Sequence, residues 1–293
     1  MKKLLISFLL VLALAAPAAA KLNVVATLPW IGSIANDLGK DKVNIKVLVK
    51  PNQDPHQIEA KPSMILAARN ADLLMYNGLD LEVGFLPILI ESSRNNRIQP
   101  GKSGNLDCSQ FIIAIEKLEA VDRSMGDVHP LGNPHYHLSA RNINQVARGM
   151  TQALAKSDPE NASFYRANLA SFANRLQKKQ NQWSKIPLRG KKYIAYHKFF
   201  EYPARDYGFQ IIDYIEEKPG IPPSARHIGK LIASAKKTGA NGILTTGYYG
   251  VKEVNALAQK TGLRSIVVPH DVGSADGIND WFSLMDAVLK SLE

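Results

Sequence analysis

Short apolar runs alternate with stretches of helical spacing along this chain. Leu22 to Thr27 reads as a buried strand, Ile31 to Leu38 as a short helix, and Val43 to Val49 as a β-branched second strand. That strand runs into the turn Pro51-Asn52-Gln53-Asp54-Pro55-His56. Pro62-Ser63 opens a helix with Met64, Leu66, Ala67 and Ala71 on its apolar face, and Asp72 to Tyr76 is a further strand ended by Asn77-Gly78. No element is predicted between Gly78 and Ala140. Ile143, Val146, Ala147, Met150 and Leu154 then recur at helical spacing, which predicts a helix from Ala140 to Lys156.

Asp158-Pro159-Glu160 restarts the helix with an N-cap, a proline at the first helical position and an acid at the positive end of the dipole. Phe164, Leu169, Phe172, Leu176 and Trp183 keep the period up to Pro187, about 26 residues or about 39 Å. A helix of that length suits a rigid strut between two lobes; the alternative is a long helix packed on one domain. Beyond it the alternation resumes. Strands are predicted at Lys192 to Tyr196, Phe209 to Ile215, Gly242 to Thr246 and Ser265 to Val268. Helices fall around Phe199, Phe200 and Tyr202, from Pro223-Ser224 to Lys237, from Val251 to Thr261 and from Trp281 to Leu292. The fold class is therefore α/β, with mainly parallel sheets flanked by helices, and ligands in such sheets collect at the carboxyl ends of the strands.

Lys2 and Lys3 followed by the apolar run Leu4 to Ala15 and Ala18-Ala19-Ala20 form an export signal, with cleavage expected after Ala20. The apolar run is shorter than the roughly twenty residues of a spanning helix, and no cysteine follows it to take a lipid. An exported, periplasmic and monomeric protein is expected. The formal charge of +10 becomes +8 without Lys2 and Lys3, but the basic residues are scattered and not interleaved with aromatics, so nucleic acid is not an expected partner. The single Cys108 excludes an intrachain disulfide and a cysteine-rich zinc site, and is expected to be buried and inert.

Three of the seven histidines fall within nine residues, in Gly126-Asp127-Val128-His129-Pro130-Leu131-Gly132-Asn133-Pro134-His135-Tyr136-His137-Leu138. His56, His197 and His270-Asp271 each stand just after a predicted strand, and His135 lies in a Pro/Gly loop before a helix. Imidazole is the commonest protein ligand for transition metals, so four loops converging on one metal ion is the reading these positions favour. His227 stands three residues into a helix beside Arg226 and Lys230 and is expected on a solvated face.

Asp54-Pro55-His56 with Pro62-Ser63 resembles the first ligand motif of the metal-specific solute-binding proteins of ABC transporters, the cluster A-I group of ZnuA/TroA type. Asn133-Pro134-His135-Tyr136-His137-Leu138 is similar to the second motif, and Tyr196-His197-Lys198 with Tyr202 and Tyr207-Gly208 to the third. Ile215-Glu216 with Pro222-Pro223-Ser224 resembles the segment that follows it. The motifs occur in family order across the whole mature chain. The resemblance implies two α/β lobes joined by one long backbone helix, with a metal ion held between them as cargo for a membrane permease. The expected divisions are a signal at 1–20, an N-terminal lobe at 21–158, a linking helix at 159–184 and a C-terminal lobe at 185–293.

The resemblance implies His56, His135 and His197 as ligands. At the fourth place the family has an aspartate, and here stands His270-Asp271; a gapless reading gives His270, residue type gives Asp271. The His-rich loop that many zinc-specific members carry is reduced here to the short stretch Asp122 to Gly126, with His129 as its remnant and, as the lesser alternative, a direct ligand. His137, where the family has a bulky residue, is either a support or an alternative ligand. Three imidazoles with one carboxylate or a fourth imidazole suit Zn²⁺, and Mn²⁺, which prefers more oxygen ligands, is the second choice. No His-Glu-x-x-His helix is present, so an enzyme is not expected. An exported zinc metallohydrolase and an adhesin-like surface protein on the same fold are the alternatives. Affinity should fall as the histidines protonate below about pH 6.5, and loading should move loops and lobes only slightly.

Overall fold

The computed structural model describes residues 20–119 and 128–293. The export signal before Ala20 and the short stretch Asp122 to Gly126 lie outside these residues. The chain opens with β1 (Leu22–Ala26), α1 (Pro29–Gly39), β2 (Val43–Val47), α2 (Pro62–Arg69), β3 (Leu73–Tyr76), α3 (Leu86–Ser93) and β4 (Asn105–Asp107). The strands form one parallel sheet in the order β2-β1-β3-β4, with Leu22 opposite Val43 and Val24 opposite Leu73. β1 and β3 are central, and Leu73, Leu74 and Met75 are all fully buried, which is why they read as continuous apolar runs. Pro29 sets the φ of the first turn of α1, which buries Trp30, Ile31, Ile34, Ala35 and Leu38.

Next come α4 (Ala140–Ser157), whose Asn142 N–H is capped by the Ser139 side chain, and α5 (Ala162–Trp183). The second half follows with β5 (Lys192–Ala195), α6 (Glu201–Tyr207), β6 (Gln210–Tyr214), α7 (Ala225–Thr238), β7 (Gly242–Thr246), α8 (Val251–Thr261), β8 (Ser265–Val268) and α9 (Trp281–Ser291). Its sheet is again parallel, in the order β6-β5-β7-β8. The molecule is thus a two-lobe α/β fold, and both sheets reverse strand order beside their first strand, where a crevice opens at the carboxyl ends.

The predicted elements are found within a residue or two of their expected ends, with two omissions and one change. α3 is an apolar block, Leu86 to Ile90, followed by Glu91-Ser92-Ser93, and its Ile88 is exposed, so no helical stripe marks it. β4 has only three residues, two of them polar, too few to show alternation. The long helix is α-helical over 22 residues, about 33 Å, because its first turn, Pro159–Asn161, is 3₁₀ and it stops at Trp183. Nor is it a bare strut. It packs on α1 and α4 from the first half and on α9, which returns after the second sheet. Tyr165, Phe172, Leu176 and Trp183 face this packing, and Arg175–Asp280 (2.6 Å) and Trp183 Nε1–Asp286 (2.7 Å) tie the two helices together. One hydrophobic core consequently runs through both lobes, while a smaller one with Ile194, Ile243, Leu231 and Leu257 fills the outer side of the second sheet.

Candidate metal centre

His56 sits in a one-turn 3₁₀ helix after β2 that its own neighbour builds. The Asp54 carboxylate accepts the His56 backbone N–H (3.0 Å) and, with the same Oδ1, the ring Nδ1–H (2.7 Å). Burial works against the Asp54 anion, but the hydrogen bonds and charge of His56, with a further bond from Tyr249, outweigh it and hold the carboxyl below its ordinary pKa. With Nδ1 donating, His56 Nε2 carries a lone pair.

His135 is presented by the loop before α4, and each of its neighbours has a holding role. Asn133 Oδ1 accepts the His135 N–H (2.9 Å), while Asn133 Nδ2 donates to Glu116 and to the Lys198 carbonyl. Asn77 Nδ2 donates to Pro134 O (3.1 Å), and the Tyr136 hydroxyl donates to Asn77 O (2.5 Å). The Phe199 ring lies 4.4 Å from the imidazole, centre to centre. His197 follows β5, and its Nδ1 donates to Glu216 Oε2 (2.7 Å), the residue standing two positions after β6. Tyr249 stacks on His197 at 5.0 Å and 9°. Its turn is possible because Gly250 follows at φ +44°, where a Cβ would fall 1.9 Å from the Tyr196 ring.

These three loops bring one donor atom each of His56, His135 and His197 within 4.8 Å of one another. His135 Nε2 and His197 Nε2 are 3.3 Å apart. A carboxylate behind Nδ1 fixes the tautomer and raises the basicity of the opposite nitrogen, the arrangement found behind metal-binding histidines. Burial, then the neighbouring imidazoles of His197, His56, His129 and His137, push the His135 pKa well below its usual value. Burial and the rings of His56 and His197 bring His129 down to about 3, and burial brings His137 to about 4. Proton competition at His135 and His129 is thereby moved well below the pH 6.5 that the sequence implies. An open cavity of about 110 Å³ adjoins the cluster, lined by His129, His135, His197 and Lys198 among others.

The other candidates are placed differently. His270 is buried, and its Nε2 donates across the crevice to Pro51 O (2.7 Å), close to Gly273 at φ +81°, where a Cβ would fall 2.8 Å from the Pro51 ring. His137 Nε2 donates to His270 O (2.8 Å), and its ring stacks on Trp30. These two histidines clasp the lobes. Asp271 is buried with Oδ1 accepting the Val272 N–H (2.7 Å), and burial pushes its carboxyl up to about 8. It lines a cavity of about 20 Å³ together with His135 and His137, room for about one water. Neither His270 nor Asp271 joins the three-histidine group. His227 is not on a solvated face: only 14% of its side chain is exposed, and Nε2 reaches Tyr214 O (2.8 Å). Cys108 is buried, as expected. Sequence reasoning missed the roles of Asp54, Glu216 and Tyr249. The two carboxylates lay inside recognised motifs, whereas nothing local marks Tyr249.

Comparison with known proteins gives three results. The family model of the periplasmic zinc-uptake complex component A, ZnuA, matches residues 24–293. The chain is 26% identical over 253 residues to the manganese ABC transporter substrate-binding lipoprotein PsaA of Streptococcus pneumoniae serotype 4, covering 83% of this chain and 78% of that protein. A crystal structure of ZnuA superposes with a TM-score of 0.77 at 27% identity, over 93% of this chain and 98% of that one. A zinc-bound deletion mutant of ZnuA gives 0.76 at 27%, over 93% and 96%.

Proposed function

The chain belongs to the ZnuA family of metal-binding, substrate-capturing components of ABC transporters, and from that premise we propose that it captures zinc outside the cytoplasm and delivers it to a membrane permease. Members of the family are substrate-binding proteins rather than enzymes. The observation that carries the reading is the meeting of His56, His135 and His197 within 4.8 Å from loops far apart in sequence. His56 and His135 come from the N-terminal half and His197 from the C-terminal half, so an ion bound to all three bridges the crevice.

The names of the relatives divide between manganese and zinc, and the donor set of this chain favours zinc. Imidazole nitrogens suit Zn²⁺, whereas Mn²⁺ favours carboxylate and carbonyl oxygen. Asp54 and Glu216 are each engaged by an imidazole Nδ1–H. That placement also weighs against a metallohydrolase, which needs a free carboxylate beside the ion to activate water. A core continuous between the lobes and the His270–Pro51 clasp support small movements on loading. Elemental analysis of protein purified without added metal, followed by competition between zinc and manganese, tests the proposal. Zinc should be retained and should displace manganese, and a preference for manganese would overturn the choice of cargo.

A further inference from the structure

A fourth imidazole stands at the cluster. His129 Nε2 is 3.0 Å from His56 Nε2, and its Nδ1 is 3.1 Å from Leu79 O. A carbonyl only accepts, so His129 Nδ1 carries the proton and Nε2 carries a lone pair. His56 Nε2 is bare for the same reason, since its Nδ1 donates to Asp54. Two lone pairs facing at that distance make no hydrogen bond with each other and repel, whereas a cation beside both turns the contact into an attraction. The turn that aims the Leu79 carbonyl is a costly one. Leu79 and Asp80 both adopt left-handed φ, +54° and +60°. The buried Glu82 carboxylate supports this turn by accepting from Asn77 N and Gly78 N.

The geometry points to His129 as the fourth ligand of the same ion, closing an all-imidazole tetrahedral site that selects zinc over manganese. This inference rests on the carrier reading of His56, His135 and His197 and concerns only the remaining position. Zn–N bonds of about 2.0–2.1 Å set neighbouring nitrogens of a tetrahedron about 3.3–3.4 Å apart. The pairs His56–His129 and His135–His197, at 3.0 and 3.3 Å, match two opposite edges of such a figure. His129 itself stands outside the group whose donor atoms all meet within 4.8 Å, so closing the figure takes a movement of His129 toward His135, whose ring centre is 6.4 Å away. The competing residues are occupied, Asp271 Oδ1 with the Val272 N–H and His270 Nε2 with Pro51 O.

Cobalt(II) tests this in the mature full-length chain, because its visible d–d absorption is strong in tetrahedral sites and weak at higher coordination. His129→Ala should still bind one Co²⁺ but lose most of the band, and its zinc affinity should fall about a hundred- to a thousandfold, as for the loss of any direct ligand. Asp271→Asn should change neither. His129→Glu should recover affinity while narrowing the preference for zinc over manganese, a result that a purely structural role for His129 would not produce. An unchanged band in His129→Ala, or its loss in Asp271→Asn, would overturn the inference. His135→Ala separates the two readings. If it too leaves Co²⁺ bound and the band intact, the three-histidine centre itself is wrong.

Discussion

The two lobes share one strand order but arm different loops. In the first lobe the loop after β2 supplies His56, while the loop after the central β1 supplies only Thr27 and Leu28. In the second lobe the loop after the central β5 supplies His197, and the loop after β6, in the place of β2, supplies Glu216, which holds His197 from behind. The edge strands differ as well. β8 is followed by His270-Asp271, which bind backbone, whereas β4 leads on toward the loop of His135. Topology decides where a crevice opens, and the loops decide what chemistry stands in it. Packing is unequal too, since the outer side of the second sheet rests on its own smaller core.

If each of the three histidines holds the ion equally, losing one from either lobe should cost alike. His135→Ala and His197→Ala are each expected to weaken zinc binding by about a hundred- to a thousandfold, a quarter to a third of the binding free energy typical of structural zinc sites. Titration against a competing chelator measures both; retained affinity in His197→Ala would leave the ion on the first lobe alone, and retained affinity in His135→Ala would remove His135 from the ligand set. The supporting carboxylates come next. Asp54→Asn and Glu216→Gln should each lower zinc affinity about ten- to a hundredfold, because a carboxylate behind Nδ1 tunes the ligand without touching the ion. Unequal losses would show that one lobe holds its imidazole more firmly.

Smaller still is the effect of the clasp. His270→Ala removes the bond to Pro51 O and should lower the stability of the metal-free protein by about 1–2 kcal/mol, while zinc affinity changes by less than about tenfold. Calorimetry paired with the chelator titration separates the two quantities. On zinc affinity the smallest expected change is at Asp271, whose effect lies instead in the pH dependence of stability. Above about pH 4 the unfolded carboxyl is ionised, whereas the folded one keeps its proton until about 8. The native state therefore binds more protons in that window, and metal-free protein should lose stability as pH rises through it. The slope approaches about 1.4 kcal/mol per pH unit relative to Asp271→Asn. Denaturant melts at pH 5 and 7 would show it, and parallel behaviour of the two proteins would mean that Asp271 is ionised in the fold.

Most of the architecture was legible in the chain. Buried central strands read as apolar runs, α4 and α7 show strong apolar stripes, and caps such as Ser139 and Ser224 mark helix starts. α3 and β4 were not legible, because one has its apolar and polar residues in two blocks rather than at helical spacing and the other lacks length. At the centre, His56, His135 and His197 stood out through their Pro/Gly and post-strand settings. His270 stood in the same kind of setting yet serves as a clasp.

The amino-acid sequence alone thus determined which segments are strands and helices, where the loops at the carboxyl ends fall, and which of them carry imidazole. Those properties follow from local periodicity and residue chemistry, which no distant contact needs to supply. Only the tertiary structure decided which nitrogens face one another. A histidine's role depends on where its second nitrogen finds an acceptor: Asp54 for His56, Glu216 for His197, the Leu79 carbonyl for His129. For His197 and His129 that acceptor lies 19 and 50 residues away along the chain. It is folding, not sequence spacing, that sets which lone pair is left free.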